Sequence, residues 1–239
     1  MMSQIAAIYN LELVRTAAER LKNRTAGLPG IAALYGPAGY GKTTAALAIA
    51  NENRAYFVQM RSAWGRKALL EKVLIEMGAQ PHGTIPQLLD QVCEQLATSN
   101  RMLMIDEFDY CVRGDSLVEL VRDIYEGSQS TLLLLGEEML PQKLKRWERF
   151  HGRVLSWIPA QPVSLADVRV LAPIYCPGVR IADDLLDHLV KLASGSVRRV
   201  SVNLASIFET ASLEGWDSVD LATWGERPLY TGDAPRRSV

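Results

Sequence analysis

The sequence predicts an α/β fold: a parallel five-stranded sheet flanked by helices, followed by a small C-terminal helical lid. Three observations predict it. Short apolar runs alternate with amphipathic stretches from Ile31 to Ile158, one of these runs leads directly into a glycine-rich loop and a helical pattern, and strand signals stop near Pro159. Strands buried on both faces read as continuous apolar runs, and their alternation with helices marks a parallel sheet covered on both sides.

The elements follow in order. Ile5, Ile8, Leu11, Val14, Ala18 and Leu21 recur at helical spacing, so a helix is expected over residues 3–25, stopped by Gly27-Leu28-Pro29-Gly30. Ile31 to Tyr35 reads as the first strand, and a helix is expected from Lys42 to Asn53 after the glycine-rich loop. Ala55 to Met60, Arg101 to Ile105, Ser130 to Leu135 and Val154 to Ile158 read as further strands. Helices are expected over Lys67 to Met77, Ile85 to Thr98 and Asp115 to Gly127. From Ser164 onward only helices are expected, over residues 164–172, 182–193 and 197–213. The predicted organisation is an N-terminal helical segment (1–27), a core (28–160), a helical lid (161–215) and a C-terminal tail (216–239), in which residues 225–239, carrying Arg236-Arg237, are expected to be mobile.

Bulk composition narrows the classes of function. Apolar residues make up 48% of 239, enough for a real core. The formal net charge of −1 argues against a strongly basic protein that coats DNA, though not against a local basic patch. Cys93, Cys111 and Cys176 form no CxxC pair and no Cys/His ligand spacing, which is the pattern of reduced thiols in a cytoplasmic protein. The apolar run Thr131 to Leu135 is far too short to span a bilayer, so no membrane partner is expected.

The chemistry starts at Gly36-Pro37-Ala38-Gly39-Tyr40-Gly41-Lys42-Thr43, which fits GxxxxGK[ST] and lies between an apolar strand and a helix. Glycines at 36, 39 and 41 let the backbone curl and turn its N–H groups inward, and with the helix N-terminus these hold phosphate oxygens. Lys42 reaches the outer phosphates, the Thr43 hydroxyl ligates Mg²⁺, and Thr44 continues the cradle. Some 60 residues on, Leu103-Met104-Ile105-Asp106-Glu107 is an apolar run ending in two acids. Asp106 suits a metal held through water, and Glu107 suits a water to be activated. Adjacent strand residues point opposite ways, so the two acids are expected to serve different roles. ATP and Mg²⁺ are the cofactors this pair of motifs implies.

The loop at 36–43, the Ile105-Asp106-Glu107 run, the apolar strand 131–135 and Gly195-Ser196-Val197-Arg198 together resemble the AAA+ ATPases. The resemblance covers about residues 10–213 and implies a P-loop core with a helical lid. Within that family the helix before the loop, the Arg122 to Gly127 helix end and Gly136-Glu137-Glu138 look most like the target-DNA-binding transposition ATPases of the phage Mu B type. That likeness implies an ATPase in a bacterial or phage-infected cytoplasm that assembles on double-stranded DNA as rings or helical filaments and activates a transposase. By position, Arg149 resembles the arginine finger that reaches a neighbour's γ-phosphate, with Arg146 and Arg153 competing for the role. Arg198 resembles the lid's nucleotide-sensing arginine. The family's polar residue after the fourth strand has no counterpart, since Gly136 stands there and Glu137 follows.

For DNA contact, Arg66 and Lys67 after the second strand are the leading candidates, with Trp64 beside them; the basic stretch Lys143, Lys145, Arg146, Arg149, Arg153 is the other. Two rivals share the ATP motifs: an AAA+ helicase loader or replication initiator, and an ATP-switched DNA-binding scaffold with little hydrolysis. The stretch after residue 213 is too short for an initiator's winged helix, which favours transposition at this point.

Overall fold

The computed structural model describes residues 6–233. Ile5 and the Arg236-Arg237 pair lie outside the described residues. The chain divides into two compact units. One holds Leu11–Pro37 and Lys42–Ala160; the other holds the chain up to Asn10, the short segment Ala38–Gly41, and the chain from Gln161 onward.

The sheet unit is built on five parallel strands: β1 (Ile31–Tyr35), β2 (Tyr56–Gln59), β3 (Leu103–Asp106), β4 (Leu132–Gly136) and β5 (Val154–Pro159). Their order across the sheet is β2-β3-β4-β1-β5. The register Ala33↔Leu134 and Ile105↔Leu134 puts three fully buried apolar side chains across the middle of the sheet. Helices α1 (Tyr9–Lys22), α2 (Lys42–Asn53), α3 (Arg66–Glu76), α4 (Ile85–Ser99) and α5 (Asp115–Ser128) accompany the strands. In α5, Val118, Val121, Ile124 and Tyr125 recur at helical spacing and are buried. Tyr125 is anchored at its far end, where its hydroxyl accepts from the Gly30 N–H at 3.0 Å.

Several short elements escape the periodic reading. A 3₁₀ helix (Phe108–Arg113) follows β3, and α6 (Leu140–Leu144) and α7 (Glu148–His151) fill the stretch between β4 and β5. Each is too brief for a 3.6-residue period to show. They are held by Leu140, Leu144, Phe108 and Phe150, all fully buried, with the two phenyl rings stacked at 5.9 Å. α1 is also shorter than the predicted 3–25 helix, beginning at Tyr9 and ending at Lys22.

The helical unit contains α8 (Leu165–Tyr175), α9 (Asp183–Ala193) and α10 (Val197–Glu214). Ser164 starts α8 with a capping box, since its hydroxyl accepts from the Asp167 N–H while the Asp167 carboxylate accepts from the Ser164 N–H. The expectation of helices alone after Ser164 is corrected here. β6 (Arg180–Ile181) and β7 (Ser218–Val219) pair in parallel, a two-residue ladder that no sequence period reveals. α11 (Leu221–Trp224) buries Trp224, and the buried Asn203 bonds Tyr230 on both sides, donating to its carbonyl at 3.0 Å and accepting from its N–H at 2.6 Å. Among the described residues no helix is long and apolar enough to cross a membrane.

Candidate functional site

In a parallel sheet, ligand-binding loops gather at the C-terminal ends of the strands. β1 ends at Tyr35 and runs into the glycine-rich loop, and α2 opens at Lys42. Gly39 and Gly41 have φ of +84° and +81°, a left-handed backbone that other residues adopt only with strain. The Lys42 ammonium donates to the carbonyls of Gly36 and Pro37 at 2.7 and 2.8 Å, so it is folded back over the loop that precedes it. Burial pushes the Lys42 pKa below the ordinary lysine value, a change opposed by the charges of Asp106, Glu107, Asp109 and Glu137.

Thr43, one residue on, brings the two sequence motifs together. Its hydroxyl donates to Asp106 Oδ2 at 2.8 Å, across 63 positions of chain. The other oxygen, Oδ1, accepts from the Glu107 N–H at 2.9 Å, so the buried carboxylate is oriented from both sides. The donor set fits a hard divalent cation. With its proton committed to Asp106, the Thr43 oxygen keeps its lone pairs for a metal, and Asp106 supplies charge close by. Thr44 is exposed and lies in the first turn of α2.

Glu107 lies differently from the strand-based expectation. β3 ends at Asp106, and Glu107 takes a left-handed conformation with φ 55° and ψ 40°. Strand alternation therefore does not set its direction. The chain turns there because Phe108, the next residue, is fully buried in the core and starts the 3₁₀ helix. A non-glycine residue in this region costs of order 1 kcal/mol or more, a type of strain that concentrates at working sites. Burial raises the Glu107 pKa above the usual glutamate value, with the neighbouring Asp106 charge adding and Lys42 opposing. A carboxylate with a raised pKa is a stronger base.

Gln59 and Asp109, both beside this site, were not singled out from the sequence. Gln59 on β2 lies in register with Asp106 and reaches its Oδ2 at 3.5 Å. Asp109, Glu137 and Lys143 form a cluster at the end of β4. Asp109 Oδ2 accepts from the Glu137 N–H at 2.6 Å, and Asp109 Oδ1 pairs with the Lys143 ammonium at 2.6 Å. With Glu107 these three residues line a cleft of about 160 Å³. A side chain at Gly136 would collide with Asp109 and Leu140, which explains a glycine where a polar residue was expected.

The basic stretch before β5 is largely neutralised. Lys143 pairs with Asp109, Arg146 with Asp115, and Arg153 with Glu126. Arg146 also stacks on the Trp147 ring at 4.2 Å. Among the described residues the exposed Arg149 side chain makes no hydrogen bond or ion pair. It lies near the start of β5, where Val154 is opposite Ile31, whereas the phosphate loop follows the other end of β1 at Tyr35. The four steps from Ile31 to Tyr35 at about 3.3 Å each put about 13 Å of sheet between the two ends of β1.

Arg66 and Lys67 open α3, just past the end of β2 that lies against Asp106. Both are exposed; Lys67 has a weak 3.8 Å pairing with Glu71, and the Arg66 side chain has no partner among the described residues. Trp64 packs against the core, leaving little face for stacking on a base. In the helical unit, Ser196 caps α10 by accepting from the Arg199 N–H, and Arg198 is exposed with its N–H donating to the Gly39 carbonyl at 3.2 Å.

A family model described as an AAA domain matches residues 25–144, just over half of the chain. No curated protein matches the sequence. Solved structures match well in fold. The ORC2 protein of Aeropyrum pernix, in ADPNP–ADP complexes, aligns with a TM-score of 0.68 at 17% identity over 92% of this chain and 68% of its own. The ORC1 protein of Aeropyrum pernix, in complex with DNA, gives 0.65 at 18% identity over 92% and 65%. Cdc6p from Pyrobaculum aerophilum gives 0.63 at 15% identity over 91% and 66%. The chain thus spans about two thirds of the length of these structures, and at such identities the likeness is one of fold.

Proposed function

Because the chain belongs to the AAA domain family, we propose that it binds and hydrolyses magnesium ATP and uses the cycle to assemble on duplex DNA, in the class of replication initiators and helicase loaders. The observation that carries the nucleotide reading is the 2.8 Å bond from Thr43 to Asp106 beside the half-buried Lys42.

The loop N–H groups of Gly39 to Thr44 hold the β-phosphate region, and Lys42 exchanges its two carbonyl partners for phosphate oxygens. Thr43 and Asp106 would hold magnesium, which would supply neutralisation of the phosphate charge. Glu107 orients the attacking water and accepts its proton. Arg198 meets the nucleotide from the start of α10, beside the loop tip. Arg149 of one copy completes the site of the next, and such head-to-tail contacts generate rings or open helices. Arg66 and Lys67 supply contacts to the phosphate backbone, a few per copy, summed over the assembly.

The fold likeness to ORC and Cdc6 proteins, two of them solved with nucleotide or DNA, moves the choice away from transposition and toward replication. Electron microscopy of the full chain with duplex DNA tests the assembly. Rings or helices are expected with a slowly hydrolysed ATP analogue and none without nucleotide; monomers in both conditions would refute it. In the same preparation a replicative helicase is expected to bind the assembly. Capture of a transposase instead would restore the transposition reading. ATP-dependent assembly with no phosphate release would favour a scaffold switched by ATP.

A further inference from the structure

Asn10, the tip of the phosphate loop, the segment after β5 and the start of α10 are joined in one closed ring of hydrogen bonds. Asn10 is 3% exposed and its side-chain amide is fully used. It donates to the carbonyls of Tyr40 and Gln161, each at 2.8 Å, and accepts from the Gln161 N–H at 2.8 Å. Two residues on, the Val163 N–H donates to the Gly195 carbonyl at 3.1 Å, and the Arg198 N–H returns to the Gly39 carbonyl at 3.2 Å. Inside this ring the Tyr40 ring lies against Gly195. A Cβ built on Gly195 would come within 2.7 Å of the ring carbon Cζ and 2.9 Å of Pro162 Cβ, and φ at Gly195 is +85°. No larger residue fits there without displacing Tyr40. The same crowding recurs beside it, where a Cβ on Gly39 would meet Ser196 Oγ at 2.5 Å, while one on Gly41 would make only ordinary contact with Ile8 and Val197 at 3.5 and 3.6 Å.

We propose that Tyr40, wedged against Gly195 and clamped at its carbonyl by Asn10, is a positioning residue that sets where Arg198 stands relative to bound nucleotide. This rests on the reading of the loop as the ATP site and of Arg198 as its sensor. The ring and its contacts leave the Arg198 side chain without a partner among the described residues, while its backbone is pinned to the loop tip. A change in the loop on filling with phosphate is therefore transmitted to the guanidinium through one backbone bond, Arg198 N–H to the Gly39 carbonyl, and one aromatic contact, Tyr40 against Gly195. The residue between the second and third loop glycines has a mechanical task, which its place in GxxxxGK[ST] does not disclose.

The test is a double-mutant cycle on the full chain, with fluorescent ATP and ADP titrated into wild type, Tyr40→Ala, Arg198→Ala and the double variant, and thermal melting as a check of folding. Each single substitution is expected to weaken ATP relative to ADP by about 10-fold, the scale of one charge-assisted contact. The double variant is expected to lose about the same 10-fold, because both changes remove one interaction. Tyr40→Phe, which keeps the ring against Gly195, is expected to behave as wild type. A double variant that loses the product of the two single effects would overturn the proposal. So would normal ATP preference in a folded Tyr40→Ala. Lys42→Ala separates the two readings. If it abolishes ATP binding while Tyr40→Ala and Arg198→Ala bind normally, the positioning role alone fails. If Lys42→Ala binds ATP normally, the nucleotide site itself is misplaced.

Discussion

Arg149→Ala is expected to leave ATP binding by the isolated chain unchanged and to lower hydrolysis in the assembled state by about 10³-fold, the low end of what an arginine finger contributes. The expectation follows from two facts about one side chain. It is exposed without a hydrogen-bond or ion-pair partner among the described residues, and it lies at the opposite end of β1 and β5 from its own phosphate loop. Arg146 and Arg153 are each held by a carboxylate of their own chain and stacked or paired in place, so they have less freedom to reach a neighbour. Mixing supplies the sharper measurement. Arg149→Ala copies keep an intact loop, and Lys42→Ala copies keep an intact Arg149. A mixture should recover turnover that neither variant has alone, since some interfaces then pair an intact loop with an intact arginine. No recovery, with both variants still assembling, would remove Arg149 from the role. An undiminished Arg149→Ala would pass it to Arg146 or Arg153.

Glu107→Gln is expected to keep ATP binding and to reduce the rate of hydrolysis by roughly 10²- to 10⁴-fold, the usual contribution of a positioned general base. The amide is nearly the same size and leaves the backbone turn at Glu107 intact, so binding through Lys42 and Thr43 should persist. The ATP-bound assembly should then remain on DNA for longer, which a dissociation time course reads directly. The pH dependence carries a sign. Burial and the adjacent Asp106 raise the Glu107 pKa, so its working carboxylate form is lost earlier on acidification than for an ordinary glutamate. Turnover by the wild type should therefore fall as pH drops through a midpoint above the usual glutamate value of 4.5. An acid limb at or below that value, or unchanged turnover in Glu107→Gln, would take the base role away from this residue.

What could be read from the sequence divides along physical lines. β1 and α2 run over the predicted residues because a five-residue apolar strand and a twelve-residue helix flank a motif whose glycines have no other use. The partnership of Thr43 with Asp106 was also within reach, since each motif demands the other's chemistry. The turn at Glu107 was not, because it depends on Phe108 finding a core place beside Phe150, a contact across 42 positions that no local pattern records. Asp109 and Lys143 stand 34 positions apart, and no local pattern pairs them. The β6 and β7 ladder is two residues long and shows no period. Asn10 reads as an ordinary polar residue near a helix start, and its role appears only when Tyr40 and Gln161 converge on it.

The choice between transposition and replication shows a different limit. The ATP motifs are common to both, and the features that separate them in the sequence are helix ends and a Gly-Glu-Glu run of little specificity. The fold comparison covers more than nine-tenths of the chain, and at 17% identity it speaks to the fold, which both readings share.

The central claim is that this chain grips a nucleotide by its triphosphate, with a metal held at the Thr43 hydroxyl beside Asp106. A crystal structure with magnesium and a slowly hydrolysed ATP analogue tests it most directly. The β-phosphate should lie against the N–H groups of Gly39 to Thr44 with Lys42 turned from the Gly36 and Pro37 carbonyls onto phosphate oxygens, and the metal should sit on the Thr43 hydroxyl with Asp106 beside it. A nucleotide bound elsewhere, or Lys42 still bonded to those two carbonyls beneath a bound triphosphate, would contradict the account.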